Sequence, residues 1–305
     1  MNAELKSTRP SSPNSYEFVG PQTARTRHYV FALFSLVLVA VFWRTFAALV
    51  HAAFDFDFCS QILVAPLIVL ALVYSRRNEI FRSVHTSIAT GALACVGGLI
   101  IYGIAHHYAV ALGSYDALSV AAFALVTIWL AGFDAIYGSA AFRSALFPLA
   151  FLFLMVPIPT AALNGSIYYL QAGSTAIAEG LFQLFGVPVM RNGFLLSLPG
   201  LTIEVAKECS SIRSSLALVI TCLLAGCLFL RSPWKRAALV LFAVPLSIFK
   251  NGVRIMTLSL LSIYVNPAFM SGHLHRDGGI LFYVLALAIL CPLFRWFEKS
   301  DQAAD

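Results

Sequence analysis

The sequence predicts an all-α integral membrane protein with about eight transmembrane helices and one short β-hairpin at the outer face. Hydrophobic residues make up 60% of the 305 residues and charged residues only 11%, whereas a typical soluble domain carries about 25% charged residues. The mean hydropathy is +0.84, and the apolar residues occur in long runs. A soluble globular fold is excluded because there is too little polar surface to cover it. Intrinsic disorder is excluded because the 25 phenylalanines and the aliphatic runs offer too much apolar surface.

The apolar runs set the predicted spans, since a bilayer core needs about 20 apolar residues per helix. The eight runs cover residues 29–49, 60–75, 87–106, 117–138, 144–158, 210–230, 235–264 and 279–296. The second and fifth are short, and the seventh contains Pro245, which favours a kink. Residues 1–28 are predicted to be a disordered cytoplasmic tail, 29–298 the transmembrane domain and 299–305 a cytoplasmic tail.

The orientation follows from the basic residues, because cytoplasmic loops carry an excess of Lys and Arg. These residues cluster in every second connecting segment, which predicts that both termini are cytoplasmic. They form no stripe with interleaved aromatic residues, so no nucleic-acid partner is expected. Residues 159–208 are then placed outside, with an amphipathic helix over 161–185 at the membrane interface. Pro199-Gly200, between two short runs of β-formers, predicts the turn of the hairpin.

Three segments in the last third of the chain carry polar groups where a span should be apolar. Ionisable residues inside a span are costly and mark functional sites by default. By the predicted orientation, all three segments lie at a similar depth near the outer face. They are residues 207–215, 250–255 and 271–282.

The first segment places Cys209 near a helix N-terminus, where the helix dipole favours a thiolate. Arg213 follows one turn later and faces the same side. In the third segment, His273 and His275 precede the last span and offer a general acid or base. A polar helix start with an incidental cysteine and purely structural histidines are the simpler interpretations.

The second segment places Lys250 and Arg254 four residues apart on one helix face, with Asn251 beside them. A cysteine nucleophile, an imidazole and a guanidinium that stabilises an oxyanion would suit acyl transfer. Snorkelling of the two basic side chains toward the interface is the alternative.

The six cysteines show no metal-binding spacing, and the sequence lacks HExxH, GxSxG, Walker A and GxGxxG motifs. No metal and no cofactor are therefore expected.

Three strings in these segments resemble the signatures of the exosortase/archaeosortase family, in their order and spacing. They are Glu-Cys-Ser-Ser-Ile-Arg-Ser, Lys-Asn-Gly-Val-Arg-Ile and His-Arg-Asp-Gly-Gly-Ile-Leu-Phe. The resemblance implies a membrane cysteine protease and transpeptidase of the bacterial inner membrane, with its active site facing outside. Its substrates would be secreted proteins with a PEP-CTERM-type tail, which consists of a short motif, one membrane helix and a basic cluster. The cut protein would pass to a surface acceptor, an unidentified lipid or glycan, and membrane lipids would surround the enzyme.

Carried over by position, the resemblance makes Cys209 the nucleophile, Arg254 the essential arginine and His275 the histidine. His275 is preferred to His273 because Gly279 and Phe282 then fall at the family's positions. The supporting residues are Arg213, Asn251 and Lys250. Ser211 stands where the family usually has glycine, and a histidine at 275 favours the bacterial branch over the archaeal one.

Other function classes remain open on the sequence alone. A transporter or channel for an anionic solute could line its path with Lys250 and Arg254. A transferase in polysaccharide export would also place polar groups inside the membrane. A scaffold without chemistry would explain the apolar spans but not the three polar segments.

Overall fold

The computed structural model describes residues 21–82, 84, 86–206, 212–270 and 279–302, and it confirms a largely helical membrane protein. Six helices are long and apolar enough to cross a membrane, and there are up to eight spans if each of two broken helix pairs counts as one. The described residues form two compact units, which contain residues 21–55 with 60–157, and residues 56–59 with 158–302.

The first unit contains eight α-helices and a 3-10 helix at Phe151–Met155. The α-helices are α1 (Pro21–Val41), α2 (Trp43–Asp55), α3 (Gln61–Ser75), α4 (Arg77–Ile80), α5 (Ile88–His107), α6 (Ala109–Leu112), α7 (Ser114–Tyr137) and α8 (Ser139–Ala150). Helices α5 and α7 pack closely because α5 presents glycine to α7. A Cβ atom at Gly98 would lie 2.6 Å from the Ile128 side chain.

The first predicted span, residues 29–49, is not one straight helix. Helices α1 and α2 meet at a bend of 79° at Phe42, where the Phe42 ring packs on Tyr102 at 4.7 Å. Thr45 Oγ1 hydrogen-bonds the Tyr102 hydroxyl at 2.8 Å, so contacts with α5 stabilise the bend. Helix α1 begins at Pro21, inside the predicted tail of residues 1–28, and residues 1–20 lie outside the described part of the chain.

The described residues of the second unit form four long helices, a small sheet and two 3-10 helices, Asp57–Cys59 and Pro267–Met270. The long helices are α9 (Thr160–Leu184), α10 (Ile212–Phe229), α11 (Pro233–Tyr264) and α12 (Gly279–Gln302). Helix α12 continues past residue 298, where the predicted transmembrane domain was to end.

The helix predicted over residues 161–185 is present as α9, and it packs on another helix of the second unit. Gly173 contacts Ile248, and Gly252 contacts Ile177, so α9 lies alongside α11 and runs in the same direction. An interfacial helix would turn its polar face to water, but part of the polar face of α9 is buried. Gln171 on the polar face is 6% exposed, whereas Tyr169 on the apolar face is 73% exposed. Helix α9 therefore packs against α11, one of the candidate spans, and the placement of residues 159–208 outside the membrane stays a prediction.

The predicted hairpin is present, and it has one strand more than expected. Strands β1 (Met190–Asn192), β2 (Leu195–Leu198) and β3 (Leu201–Glu204) form an antiparallel sheet in chain order. The β2–β3 turn holds Gly200 at φ +79°, a left-handed conformation that glycine adopts at no steric cost. Apolar side chains of the sheet pack with α9 and α11 in one buried cluster that includes Leu196, Phe182 and Ile255.

Candidate functional site

The three helices that follow the sheet bring the described parts of the predicted polar segments close together in the second unit. Helix α11 runs antiparallel to α10, since Gly226 of α10 faces Arg236 near the start of α11, while Lys250 reaches back to Ser214. It also runs antiparallel to α12, because Lys235 pairs with Asp301 at 2.7 Å. The first residues of α10 and α12 therefore lie beside the C-terminal half of α11, which carries Lys250 and Arg254.

Lys250 is a buried cation in the middle of α11. Its side chain is 2% exposed, and Nζ donates a hydrogen bond to Ser214 Oγ, in the first turn of α10. A buried ammonium group is strongly destabilising unless polar groups solvate it. The burial of Lys250 beside Ser214 excludes the snorkelling interpretation for this residue.

Asn251 and Arg254 extend this polar cluster along α11. Asn251 is 1% exposed, and Arg254 is half-buried. Arg254 lies one helical turn after Lys250, so the two side chains share a face of the helix. Two fixed cations and an amide in a partly dehydrated environment can stabilise a negative charge that develops nearby.

Arg213 does not join the buried cluster. Its side chain is 63% exposed, and Nη1 contacts Asp57 Oδ1 at 3.0 Å. An exposed ion pair of this kind contributes about 0–1 kcal/mol to stability. Arg213 therefore connects the start of α10 to the 3-10 helix Asp57–Cys59, while Lys250 and Asn251 face the interior.

Cys209, His273 and His275 lie outside the described residues. In the sequence, Cys209 comes three residues before Ile212, the first residue of α10, and His275 comes four residues before Gly279, the first residue of α12. Their roles stay predictions.

Helix α9 adds polar residues that the sequence analysis missed. Gln171, Ser174 and Thr175 are buried at 6%, 0% and 0% exposure. Gln171 Nε2 donates a hydrogen bond to the carbonyl oxygen of Val205, four residues before Cys209 in the sequence. The spacing of these three residues places them on one helix face. An interfacial helix would turn that face to water, so the sequence did not indicate that these residues are buried.

Three serine hydroxyls of α9, α10 and α11 are buried without a hydrogen-bond partner among the described residues. The three atoms are Ser174 Oγ, Ser215 Oγ and Ser247 Oγ. They come from α9, α10 and α11, the three helices that carry Gln171, Ser214 and Lys250. Within the part of the chain that the structure describes, no group of three or more His, Cys, Asp or Glu residues could hold a metal ion.

Comparison with protein families identifies the chain. The family model described as Transmembrane exosortase (Exosortase_EpsH) matches residues 55–292, a range that covers most of the chain and all three polar segments. Comparison with curated proteins and with solved structures found no match. The agreement of this match with a helical membrane fold of six to eight candidate spans establishes that the chain belongs to the transmembrane exosortase family.

Proposed function

We propose that this exosortase is a membrane-embedded cysteine transpeptidase that removes the C-terminal sorting tail of secreted proteins. The main support is the direction of α10, α11 and α12. Their packing brings the first residues of α10 and α12 toward the Lys250–Arg254 face of α11. Cys209 comes shortly before α10 in the sequence, and His275 comes shortly before α12. A thiol, a guanidinium and an imidazole are the groups that acyl transfer needs.

The reaction we propose proceeds through a thioester. The Cys209 thiolate attacks the scissile carbonyl of the substrate, and Arg254 with the N-terminus of α10 stabilises the oxyanion. His275 donates a proton to the departing amine as the peptide bond breaks. An acceptor nucleophile, a surface lipid or glycan, or else water, then attacks the thioester and releases Cys209.

The substrate tail in this proposal is a short PEP-type motif followed by one membrane helix and a basic cluster. We place the enzyme in a bacterial inner membrane, with both termini cytoplasmic and the site facing outside. The end of the second unit opposite to Lys250 carries Arg231, Arg236 and Lys299, next to the Lys235–Asp301 pair. A basic end of this kind is typical of the cytoplasmic side, and it supports the orientation.

Trapping the thioester tests this function. The full-length protein is co-expressed with an exported reporter that ends in such a tail, and the membranes are quenched in acid. We expect a covalent adduct that mass spectrometry maps to the peptide containing Cys209 and that neutral hydroxylamine releases. Cys291, an exposed cysteine in α12, is the internal control and should carry none. Continued tail removal after complete alkylation of Cys209 would rule out the mechanism.

Gln171 is predicted to position the segment that leads to Cys209. Gln171→Leu removes the donor to the Val205 carbonyl while keeping a similar volume. A misplacement of about 1 Å can cost about a hundredfold in rate, so we expect kcat for tail cleavage to fall tenfold to a hundredfold. KM should stay within twofold, because the substrate does not need to contact Gln171.

The matched control for Gln171 is Ser166→Ala on the same helix. Ser166 Oγ donates only to the carbonyl of Ala162 on the exposed face, so its loss should leave kcat unchanged. Gln171→Glu, which also lacks the donor, should behave like Gln171→Leu. Normal turnover in both Gln171 variants would show that this hydrogen bond does not position the segment.

A further inference from the structure

The first unit contains a large, partly open apolar cavity that the proposed chemistry does not use. Its volume is about 620 Å³, within the range of about 300–1,000 Å³ that small-molecule sites occupy. The wall is formed by side chains of α1, α2, α3 and α7, the 3-10 helix Phe151–Met155 and Phe81. Its polar lining residues include Ser35 and Trp129, whose side chains hydrogen-bond each other at 3.0 Å, so the wall offers little to a polar ligand.

The cavity is long and narrow. Along α7 its lining residues extend from Ala122 to Tyr137, which at 1.5 Å per residue corresponds to about 22 Å. Dividing the volume by this length gives a mean cross-section of about 28 Å², which corresponds to a width of about 6 Å. A helix with its side chains is about 10–12 Å across, so the membrane helix of a protein partner is too thick. A single hydrocarbon chain fits, because carbon atoms pack at about 3.5–4.0 Å.

The end of the cavity at Tyr137 is polar. His28 Nδ1 lies 2.8 Å from the Tyr137 hydroxyl, and the His28 ring packs edge-on against Phe81 at 5.1 Å. Arg27 Nη1 donates to the carbonyl of Ile136 at 2.9 Å, which fixes a guanidinium beside this end.

Five arginines lie close in the sequence to lining residues of the cavity. Arg25, Arg27, Arg76, Arg77 and Arg82 each lie within four residues of His28, Val73 or Phe81, and we call these five residues the arginine rim. Among the described residues, the acidic ones near this end are Glu79 and Asp134, and Asp134 accepts a hydrogen bond from Thr90 at 2.6 Å. The rim therefore carries a net positive charge that complements an anionic group.

We propose that this cavity binds one hydrocarbon chain of an anionic phospholipid, with the lipid phosphate at the arginine rim. The apolar wall and the narrow width of the cavity favour a single hydrocarbon chain, and the positive charge of the arginine rim favours an anionic headgroup. The bound lipid is a resident component of the first unit and not the acceptor of the transfer reaction. The site is independent of Cys209.

Native mass spectrometry of the full-length protein in detergent tests the site. We expect one phosphatidylglycerol molecule to bind at least tenfold more tightly than phosphatidylethanolamine, and glycerol phosphate, which has no chain, not to compete. Val126→Phe fills the cavity from α7, where Val126 is 6% exposed, and should reduce lipid occupancy at least tenfold. Leu93→Phe, at an exposed position of α5 outside the lining, is the matched control and should bind normally.

A second variant keeps the test decisive if Val126→Phe fails to fold. Arg82→Gln changes an exposed rim residue and should lower the preference for phosphatidylglycerol over phosphatidylethanolamine severalfold. Equal binding of both lipids by the unmodified protein, or displacement of the phospholipid by a polyprenyl phosphate, would overturn the proposal. The Cys209→Ala protein should bind lipid normally, which separates this site from the catalytic proposal.

Discussion

Cys209→Ala is expected to lower the rate of tail release by at least about a thousandfold, because loss of the nucleophile leaves no route to the thioester. The measurement is the fraction of the exported reporter that has lost its tail, in membranes with equal amounts of each variant. Cys209→Ser should also be inactive or nearly so, because a hydroxyl is far less ionised than a thiol at neutral pH.

Two other cysteines provide the controls for this substitution. Cys222 lies in α10, the same helix that Cys209 precedes, and is fully buried in the apolar core of the second unit. Cys291 is exposed on α12. Cys222→Ala and Cys291→Ala should retain activity within a fewfold, since neither side chain is near the end of α10 that begins at Ile212. Full tail release by Cys209→Ala would instead show that the reaction does not use Cys209 as its nucleophile.

Gly252→Leu is expected to prevent α9 from packing on α11 and to abolish recovery of folded protein. A Cβ atom at this position would lie 2.8 Å from Ile177 Cβ, closer than atoms in a folded core can approach. Ile177 cannot move away easily, since a β-branched side chain in a helix has one strongly preferred rotamer. The smaller change Gly252→Ala should lower the free energy of unfolding by about 1–3 kcal/mol, typical of overpacking. Thermal unfolding in detergent is the measurement.

The matched control for Gly252 is Gly180→Ala on α9. A Cβ atom at Gly180 would meet nothing within 4 Å, so the variant should gain up to about 1 kcal/mol from the better helix propensity of alanine. The two glycine-to-alanine changes are thus expected to have opposite signs. Equal stability of the Gly252→Ala and Gly180→Ala proteins would contradict the close contact of α9 with α11.

The fold was predictable wherever hydrophobicity alone decides the structure. The long apolar runs identified the helices Ile88–His107, Ile212–Phe229 and Pro233–Tyr264, and Pro199-Gly200 identified the β2–β3 turn. The bend at Phe42 was not predictable, because the contacts of Phe42 and Thr45 with Tyr102 join residues far apart in the chain. The burial of the polar face of α9 was missed because amphipathicity does not say which face meets water.

The candidate site also contains features that the sequence predicts and features that only the structure reveals. The spacing of Lys250, Asn251 and Arg254 placed them on one stretch of α11, and the burial of Lys250 and Asn251 follows from the apolar run around them. The bond from Gln171 to Val205 needed the structure, since only packing of α9 brings these residues together. Arg213 was expected beside Cys209, and its contact with Asp57 depends on a segment 156 residues away in the chain.

The position of Phe56–Cys59 has a practical consequence for anyone who wishes to express the C-terminal half alone. These four residues belong to the second unit, although the chain around them belongs to the first. Cys59 is fully buried, and Asp57 pairs with Arg213 at the start of α10. A fragment beginning at Ile158 would lack these four residues, and the start of α10 would lose its contact with Asp57. Supplying the missing tetrapeptide within a separately expressed N-terminal fragment, rather than trimming further, is the rational way to divide this enzyme into two pieces.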